Sequence, residues 1–555
     1  MAEEAQKVGD VQVGRQVLVG GRIWNGERLV DGSIAIEDGH IAAVQFAAVP
    51  PAAGATVIDL GGAAVFPGFV DAHAHPLIGG LELAGVQLRQ ARDVQEAVAA
   101  VASFAAEHPE LPWIVGEGFD LSIDRQASYF ARDLDAVVAD RPVALRSSDI
   151  HTMWCNTAAL NAAGITTASQ EPRDGVIERD ADGRPTGTLR EWGAFLPVLR
   201  ALPRRTTDDT AEALMRGLQT LRESGVTSVQ DAWVELDDVP SYLQAARAGL
   251  PVRLNLAFRA DPDNWRAELD RFVAARLEIE TAGIELLRAD TVKFFADGII
   301  EGGTAHVKEP YHGTSCCGLP AWPAGELREA AAAFDRLGFQ LHIHAIGDAA
   351  VEAAVEAIMN AEHVNGPRDR RPVIAHAQLV DGPEIAAMRG HHITVAIQPY
   401  WAKLDSVVRY LTNDRLEGPR AETQYPFRTL ADSGVRIASS SDYPITTPSP
   451  LEAIGVAISR HECGDDTGGW LPGERLDLAL AVRAATEGAA YTQFADHDRG
   501  RIAPGFLADL TVVSGLSDHP TAAELISARV TATWLGGHRD AVATADAAAV
   551  RQGEA

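Results

Sequence analysis

The segment Asp71-Ala72-His73-Ala74-His75 directly follows an apolar run, 64–71, that reads as a buried strand. In an extended strand residues i and i+2 share a face, so His73 and His75 point the same way. Two imidazoles at a strand end are good ligands for a Zn²⁺-like ion. Other strand ends add to them. His344 closes the run 339–344, in which apolar and polar residues alternate; His376 closes 372–376; Asp442 follows Ala438-Ser439-Ser440-Ser441. Chance would scatter the 17 histidines over loops and helix surfaces. Imidazoles and a carboxylate at the C-terminal ends of separate strands are what a metal site in a barrel mouth requires. His342 shares a face with His344 one layer deeper, and reads as a hydrogen-bonded or core histidine rather than a ligand.

In the run 291–298, Lys293, Phe295 and Asp297 fall on one face. A lysine inside a barrel would have its pKa lowered, and a neutral amine can take up carbon dioxide as a carbamate able to bridge two ions. Alternatively Lys293 faces the helices, or pairs with Asp297. Spacing leaves these open.

The elements that must position these groups alternate. Short apolar strands at 226–229, 252–257, 291–297, 339–344, 372–376, 393–398 and 435–439 are separated by helical stretches such as 326–337 and 349–360. Ala211, Leu214, Leu218 and Leu221 mark one helix face. Such βα units predict a parallel sheet, here a TIM-like (β/α)8 barrel. Before it, strands at 17–20, 33–37, 41–44 and 57–60, with Asp38-Gly39 as a hairpin turn, form a small β unit. After it, strands near 508–513 and 530–535 should join that unit in a composite β-sandwich. The division is 1–63 and 499–555 for the sandwich and 64–498 for the barrel, with an inserted subdomain of hairpins at about 80–200. Residues 1 to about 15 and those after Asp540 read as loose tails.

The formal charge of −29 speaks against nucleic acid and anionic membrane surfaces as partners. Four cysteines (Cys155, Cys316, Cys317, Cys463) in 555 residues, none in a CxxC spacing, predict no disulfide framework. An acidic, polar N-terminus without a signal-peptide pattern, and no apolar run of membrane-spanning length, point to a cytoplasmic protein.

Taken in order, His73/His75, Lys293, His344, His376 and Asp442 resemble the amidohydrolase superfamily. Pro67-Gly68-Phe69-Val70-Asp71-Ala72-His73-Ala74-His75, Lys293-x-x-x-Asp297-Gly298, His344-Ala345-Ile346-Gly347-Asp348, His376-Ala377-Gln378 and Ser441-Asp442-Tyr443-Pro444 resemble amidohydrolase family 3, the YtcJ-like branch. The likeness covers nearly the whole chain. It implies that His73, His75, Lys293, His344, His376 and Asp442 bind one or two divalent ions, zinc above all, with Lys293 as an N6-carboxylysine. The inserted segment matches through His151-x-x-Trp154-x-Asn156, with Ile150 where the branch more often has glycine. The resemblance makes His151 a candidate for polarising a substrate carbonyl; Trp154, Asp297 and Tyr400 are candidate substrate contacts. Tyr400 and Trp401 near strand ends suggest an uncharged or aromatic substrate group, and core packing accounts for them equally well.

What this implies is hydrolysis of an amide-type, non-peptide C–N bond in a small molecule, such as an N-acyl or N-formyl amide. Hydroxide generated at the metal is the attacking group, and Asp442 moves its proton to the departing nitrogen. Hydrolysis of a cyclic amide, carbamate or ester on the same residues is the alternative. A non-catalytic scaffold is disfavoured because every ligand position is filled. A homodimer is the default assembly.

Overall fold

Eight strands make the barrel: β1 (Phe69–Ala74), β2 (Val226–Val234), β3 (Arg253–Arg259), β4 (Leu287–Phe295), β5 (Gln340–Ala345), β6 (Val373–His376), β7 (Thr394–Ile397) and β8 (Arg436–Ser439). This is a computed structural model, and it describes residues 15–46, 54–124, 128–172, 174–416, 418–461 and 468–542. The two expected tails lie almost wholly outside these residues, as does Cys463. The ladder is parallel throughout, in the order β8-β7-β6-β5-β4-β3-β2-β1. Its two edges meet just past the strand ends. There the Asp442 N–H donates to the His73 carbonyl (2.9 Å) and the His75 N–H to that of Tyr443 (2.6 Å). The seam is thus closed by the residues that sequence marks as ligands.

Alternation sorts the interior into layers. β4 and β5 pair Thr291 with Gln340, Lys293 with His342 and Phe295 with His344. The lowest layer is polar but satisfied: Asn255 Nδ2 donates to Gln230 Oε1 (2.7 Å) and Thr291 Oγ1 to Gln340 Oε1 (2.8 Å). Lys293 and His342 form the next, and Phe295 and His344 lie at the mouth. The intervening Val292, Phe294, Leu341 and Ile343 belong to the main apolar cluster with the surrounding helices. One of these helices, Thr207–Glu223, starts in a Thr206/Asp209 capping box and buries Ala211, Leu214, Leu218 and Leu221 as its periodicity predicts.

The run 64–71 is two strands, not one. Ala64–Pro67 pairs in the terminal sheet, and the chain crosses into the barrel at Gly68. A Cβ there would lie 2.3 Å from Thr227 Oγ1, so only glycine permits the crossing. Ala64–Pro67 thus belongs to the terminal sheet and Phe69–Ala74 to the barrel. Both chain ends contribute to that sheet: Gln16–Trp24, Leu29–Glu37, His40–Gln45, Thr56–Asp59 and Ala64–Pro67 join Leu510–Ser514, Arg529–Leu535 and His538–Ala541. Gln16–Trp24 pairs with Thr56–Asp59 through its first half and with Ala64–Pro67 through its second. Leu18, Ile34, Leu510 and Trp534 share one core within it. Asp38 and Gly39 both take positive φ (48° and 78°), as a type I′ turn demands.

The inserted segment is more than hairpins. Its six strands run Val176–Arg179, Pro185–Arg190, Thr152–Cys155, Val143–Ser147, Ile114–Phe119, Val86–Gln87. The first four pair antiparallel and the last three parallel. The helix Val94–Glu107 provides the crossover that parallel pairing needs. Among the described residues no helix is long and apolar enough to cross a membrane.

Candidate metal centre

The barrel mouth brings six of the expected residues together. His75 Nε2 lies 3.0 Å and His73 Nε2 3.3 Å from Asp442 Oδ1, and His376 Nδ1 is 3.9 Å from Asp442 Oδ2. Lys293 Nζ stands 3.2 Å from His73 Nε2, and the His344 and His376 rings are 4.5 Å apart. His73, His376 and Asp442 each offer a ligand atom within 4.8 Å of the others. Although two imidazole nitrogens approach it, Asp442 Oδ1 makes no hydrogen bond, nor does His75 Nδ1. Buried nitrogen and oxygen atoms that converge with hydrogen-bonding capacity left over suit a cation, so the residues fit a divalent ion.

Neighbouring hydrogen bonds set which nitrogen of each ring is free. His376 Nδ1 lies 3.0 Å from Gln398 Oε1, and the Gln398 amide is held by Ser440 Oγ (2.8 Å), which leaves the His376 Nε2 lone pair unused. His344 Nε2 faces the Gly298 carbonyl at 3.1 Å, freeing Nδ1. His73 Nδ1 meets His342 Nε2 at 2.7 Å, which turns Nε2 toward Lys293 and Asp442. His342 is therefore a supporting partner, as its deeper layer predicts. Burial lowers the pKa of His73, His75, His344 and His376, that of His376 to about 3, so they are neutral and able to ligate. Burial works to raise Asp442, but its contacts with His73 and His75 outweigh that and keep it ionised.

Lys293 faces inward and is fully buried. Among the described residues no carboxylate lies within ion-pair distance of it, and its ammonium sits 4.5 Å over the Phe295 ring. Burial lowers its pKa to about 7. The outward-facing reading and the Asp297 pairing both fail. Asp297 Oδ1 accepts the Ile346 N–H and Oδ2 those of His306 and Gly347, fastening the loop after β4 to the loop after β5. It braces these two loops. Trp154 also departs from expectation: it is fully buried between Phe119 and Tyr129, its Nε1 donating to the Phe130 carbonyl, in the core of the inserted sheet.

His151 and Tyr400 do line the cavity of about 380 Å³ above the ligands, with Trp401, Glu301 and Lys403. The His151 ring lies 5.4 Å from His344, and its Nδ1 is 2.7 Å from Glu191 Oε2. Burial would lower His151, yet Glu191 first, then Asp149 and Asp442, raise it to about 9. Ile150 has φ +62°, the left-handed conformation that costs a β-branched residue most, which explains a glycine preference there. Glu191 (+62°), His376 (+78°) and Asp442 (+55°) share this region. Each such residue costs on the order of 1–3 kcal/mol and persists only where its surroundings enforce it.

Glu191 and Gln398 are site residues that spacing did not reveal, whereas Trp401 lines the cavity, near a strand end as expected. Trp401 stacks on His376 with planes 3° apart. Gln398 carries a usable signal, since a polar residue follows β7 as His376 ends β6. Glu191 begins the helix Glu191–Ala201 and offers none.

Comparison with known proteins agrees with this geometry. The putative amidohydrolase YtcJ of Bacillus subtilis (strain 168) is 31% identical over 468 residues, 82% of this chain and 85% of that one. N-substituted formamide deformylase of Arthrobacter pascens is 27% identical over 515 residues, 89% and 91%. An uncharacterized metal-dependent hydrolase of Pyrococcus furiosus shares the fold, with a TM-score of 0.67 at 24% identity over 92% of this chain and 100% of that one. The amidohydrolase family model matches residues 56–539, from the terminal sheet through the whole barrel and back, and the chain therefore belongs to the amidohydrolase family, hydrolases of carbon–nitrogen bonds.

Proposed function

We propose that this protein hydrolyses an amide-type, non-peptide bond of a small molecule, an N-acyl or N-formyl amide, with zinc bound and Lys293 present as its carbamate. The observation that carries this is the convergence of His73, His75, His344, His376, Lys293 and Asp442 beneath a 380 Å³ cavity, with His75 Nδ1 and Asp442 Oδ1 left without hydrogen-bond partners. The likeness to N-substituted formamide deformylase supports the formyl end of the range.

A divalent ion in such a site supplies water activation and Lewis acidity at neutral pH. The chain's own residues do the rest. Asp442, ionised and at the end of β8, takes the proton of the attacking water and delivers it to the departing nitrogen. His151, held cationic by Glu191, donates from its free nitrogen to the carbonyl oxygen as charge builds there. Lys293, buried and with its pKa near neutrality, has an amine free to attack carbon dioxide, losing one N–H proton as the carbamate forms. The free Cys155, Cys316 and Cys317 suit the reducing cytoplasm, and a homodimer is the proposed assembly.

The test is metal analysis of the purified protein together with a panel of N-formyl, N-acyl, cyclic amide and ester substrates, repeated on Asp442→Asn. Wild type should hold a divalent ion and turn over the N-acyl set; the variant should lose about 10²–10⁴-fold in kcat. A protein without a divalent ion that leaves every amide intact would overturn the reading. So would an Asp442→Asn variant with its metal and full activity.

A further inference from the structure

Arg89 and Lys403, cations on the wall of the large cavity, are already engaged, whereas three carboxylates on that wall have no counter-ion. Arg89 Nη2 donates to Glu82 Oε2 (2.8 Å) and to the Pro444 carbonyl, and Lys403 Nζ lies 3.9 Å over the Tyr400 ring. Asp120, Asp149 and Glu301 line the same cavity, and among the described residues none of them forms an ion pair. Each has one oxygen committed to neutral donors. Asp120 Oδ1 accepts the Ser122 N–H (2.7 Å), Asp149 Oδ1 the His151 N–H (3.0 Å) and the Ser147 hydroxyl, and Glu301 Oε1 the Thr412 hydroxyl (2.6 Å). The second oxygen of each accepts no hydrogen bond among the described residues. Arg415 acts on Glu301 only from beyond ion-pair distance. Burial pushes the carboxyls of Glu301 and Asp149 above their ordinary range, and Asp149 adds to this at Glu301. A cation beside them would offset both effects.

That a ligand enters this cavity does not depend on these carboxylates. At its floor His75 Nδ1 and Asp442 Oδ1 lie on residues only 3% and 4% exposed, without hydrogen-bond partners. The floor comes from the ends of barrel strands, and the carboxylates come from elsewhere. Glu301 lies in the loop after β4, and Asp120 and Asp149 follow the inserted strands Ile114–Phe119 and Val143–Ser147. With the amide carbon at the metal centre, the rest of the substrate lies against this wall. In an N-formyl amide the acyl side is a single hydrogen, so the part that extends is the amine side.

We propose that Glu301, with Asp149 and Asp120, selects substrates whose amine side carries a cationic centre, such as the N-formyl or N-acetyl derivative of a diamine. An aliphatic amine side would bury these carboxylates without a counter-ion, and an acidic one would set like charges together. The inference rests on the amide reading above and adds the charge of the half of the substrate that the amide reading leaves open.

The experiment measures kcat/KM of the metal-loaded full chain for the N-formyl and N-acetyl derivatives of α,ω-diaminobutane and α,ω-diaminohexane. Each is set against the alkylamine and the ω-amino acid of the same length. The order should be cation, then neutral, then anion, with cation over neutral by about 10-fold or more, as a hydrogen bond to a charged group gives. Glu301→Gln keeps the size of the side chain and an acceptor for Thr412, and in it the cation-to-neutral ratio should fall by about 10-fold. Glu301→Lys should reverse the order of cation and anion. A gain on the anionic substrate cannot come from general damage, and either variant suffices if the other does not fold. A wild type that turns over the neutral amides as fast as the cationic ones overturns this inference and leaves the amide reading standing. A ratio unchanged in the folded variants does the same. Failure to hydrolyse any amide overturns both.

Discussion

Replacing Glu191 by glutamine removes a charge from the His151 pair and little else. The side chain keeps its size, and its amide oxygen can still accept from His151 Nδ1, now 2.7 Å from Glu191 Oε2. Burial lowers the His151 pKa, and Glu191 is the largest influence opposing it, bringing the value to about 9 against an ordinary 6.5. Without that charge the value should return to 6.5 or below. At pH 7.5 the protonated fraction then falls from nearly all to about one tenth, and kcat should fall roughly tenfold. KM should change little because the geometry is retained. In a pH–rate profile the alkaline limb governed by His151 should move from near pH 9 to below pH 7. Stability gives an independent reading. A raised pKa contributes stability that is fully present below pH 6.5 and lost as pH climbs through about 9. Between 6.5 and 9 that amounts to about 3 kcal/mol, which wild type should lose over this window and Glu191→Gln should not. A variant with the wild-type alkaline limb and undiminished kcat would refute the argument, since His151 would then work without its proton.

Two further outcomes follow from the packing. Gln398→Leu removes the acceptor that fixes His376 Nδ1 and should weaken metal affinity by about 10–100-fold while leaving the fold intact; competition against a calibrated chelator measures this, and unchanged affinity contradicts the assigned tautomer. Trp534→Ala empties the centre of the terminal sheet, where the indole is fully buried, and should destabilise by about 3–5 kcal/mol in denaturant titration. An unchanged midpoint would mean that this sheet does not unfold with the rest.

The histidines and Asp442 of the candidate metal centre were legible because they lie at or just past the ends of apolar strands, and burial of a strand is written in its residue types. The barrel follows from the same runs, since β strands alternating with amphipathic helices have few other ways to cover both faces. Where the sequence could not decide, the missing information was direction or partnership. Lys293 and Asp297 share a face by count, yet only closure of the barrel turns Lys293 toward His73 and leaves Asp297 to accept three backbone N–H groups. Trp154 sits three residues from His151, but the strand Thr152–Cys155 carries it into the inserted core. Gly68 divides an unbroken apolar run for a reason found 159 residues later, at Thr227. Groups whose work is to hold another group carry the weakest signal of all, because any donor or acceptor of the right reach will serve. Glu191 lies 40 residues from the histidine it holds, in a backbone conformation that its residue type disfavours. The strain shared by Ile150, Glu191, His376 and Asp442 marks where the fold gives up local preference to bring these side chains to one mouth. Propensity therefore identifies the strands that carry the ligands and passes over the residues that aim them.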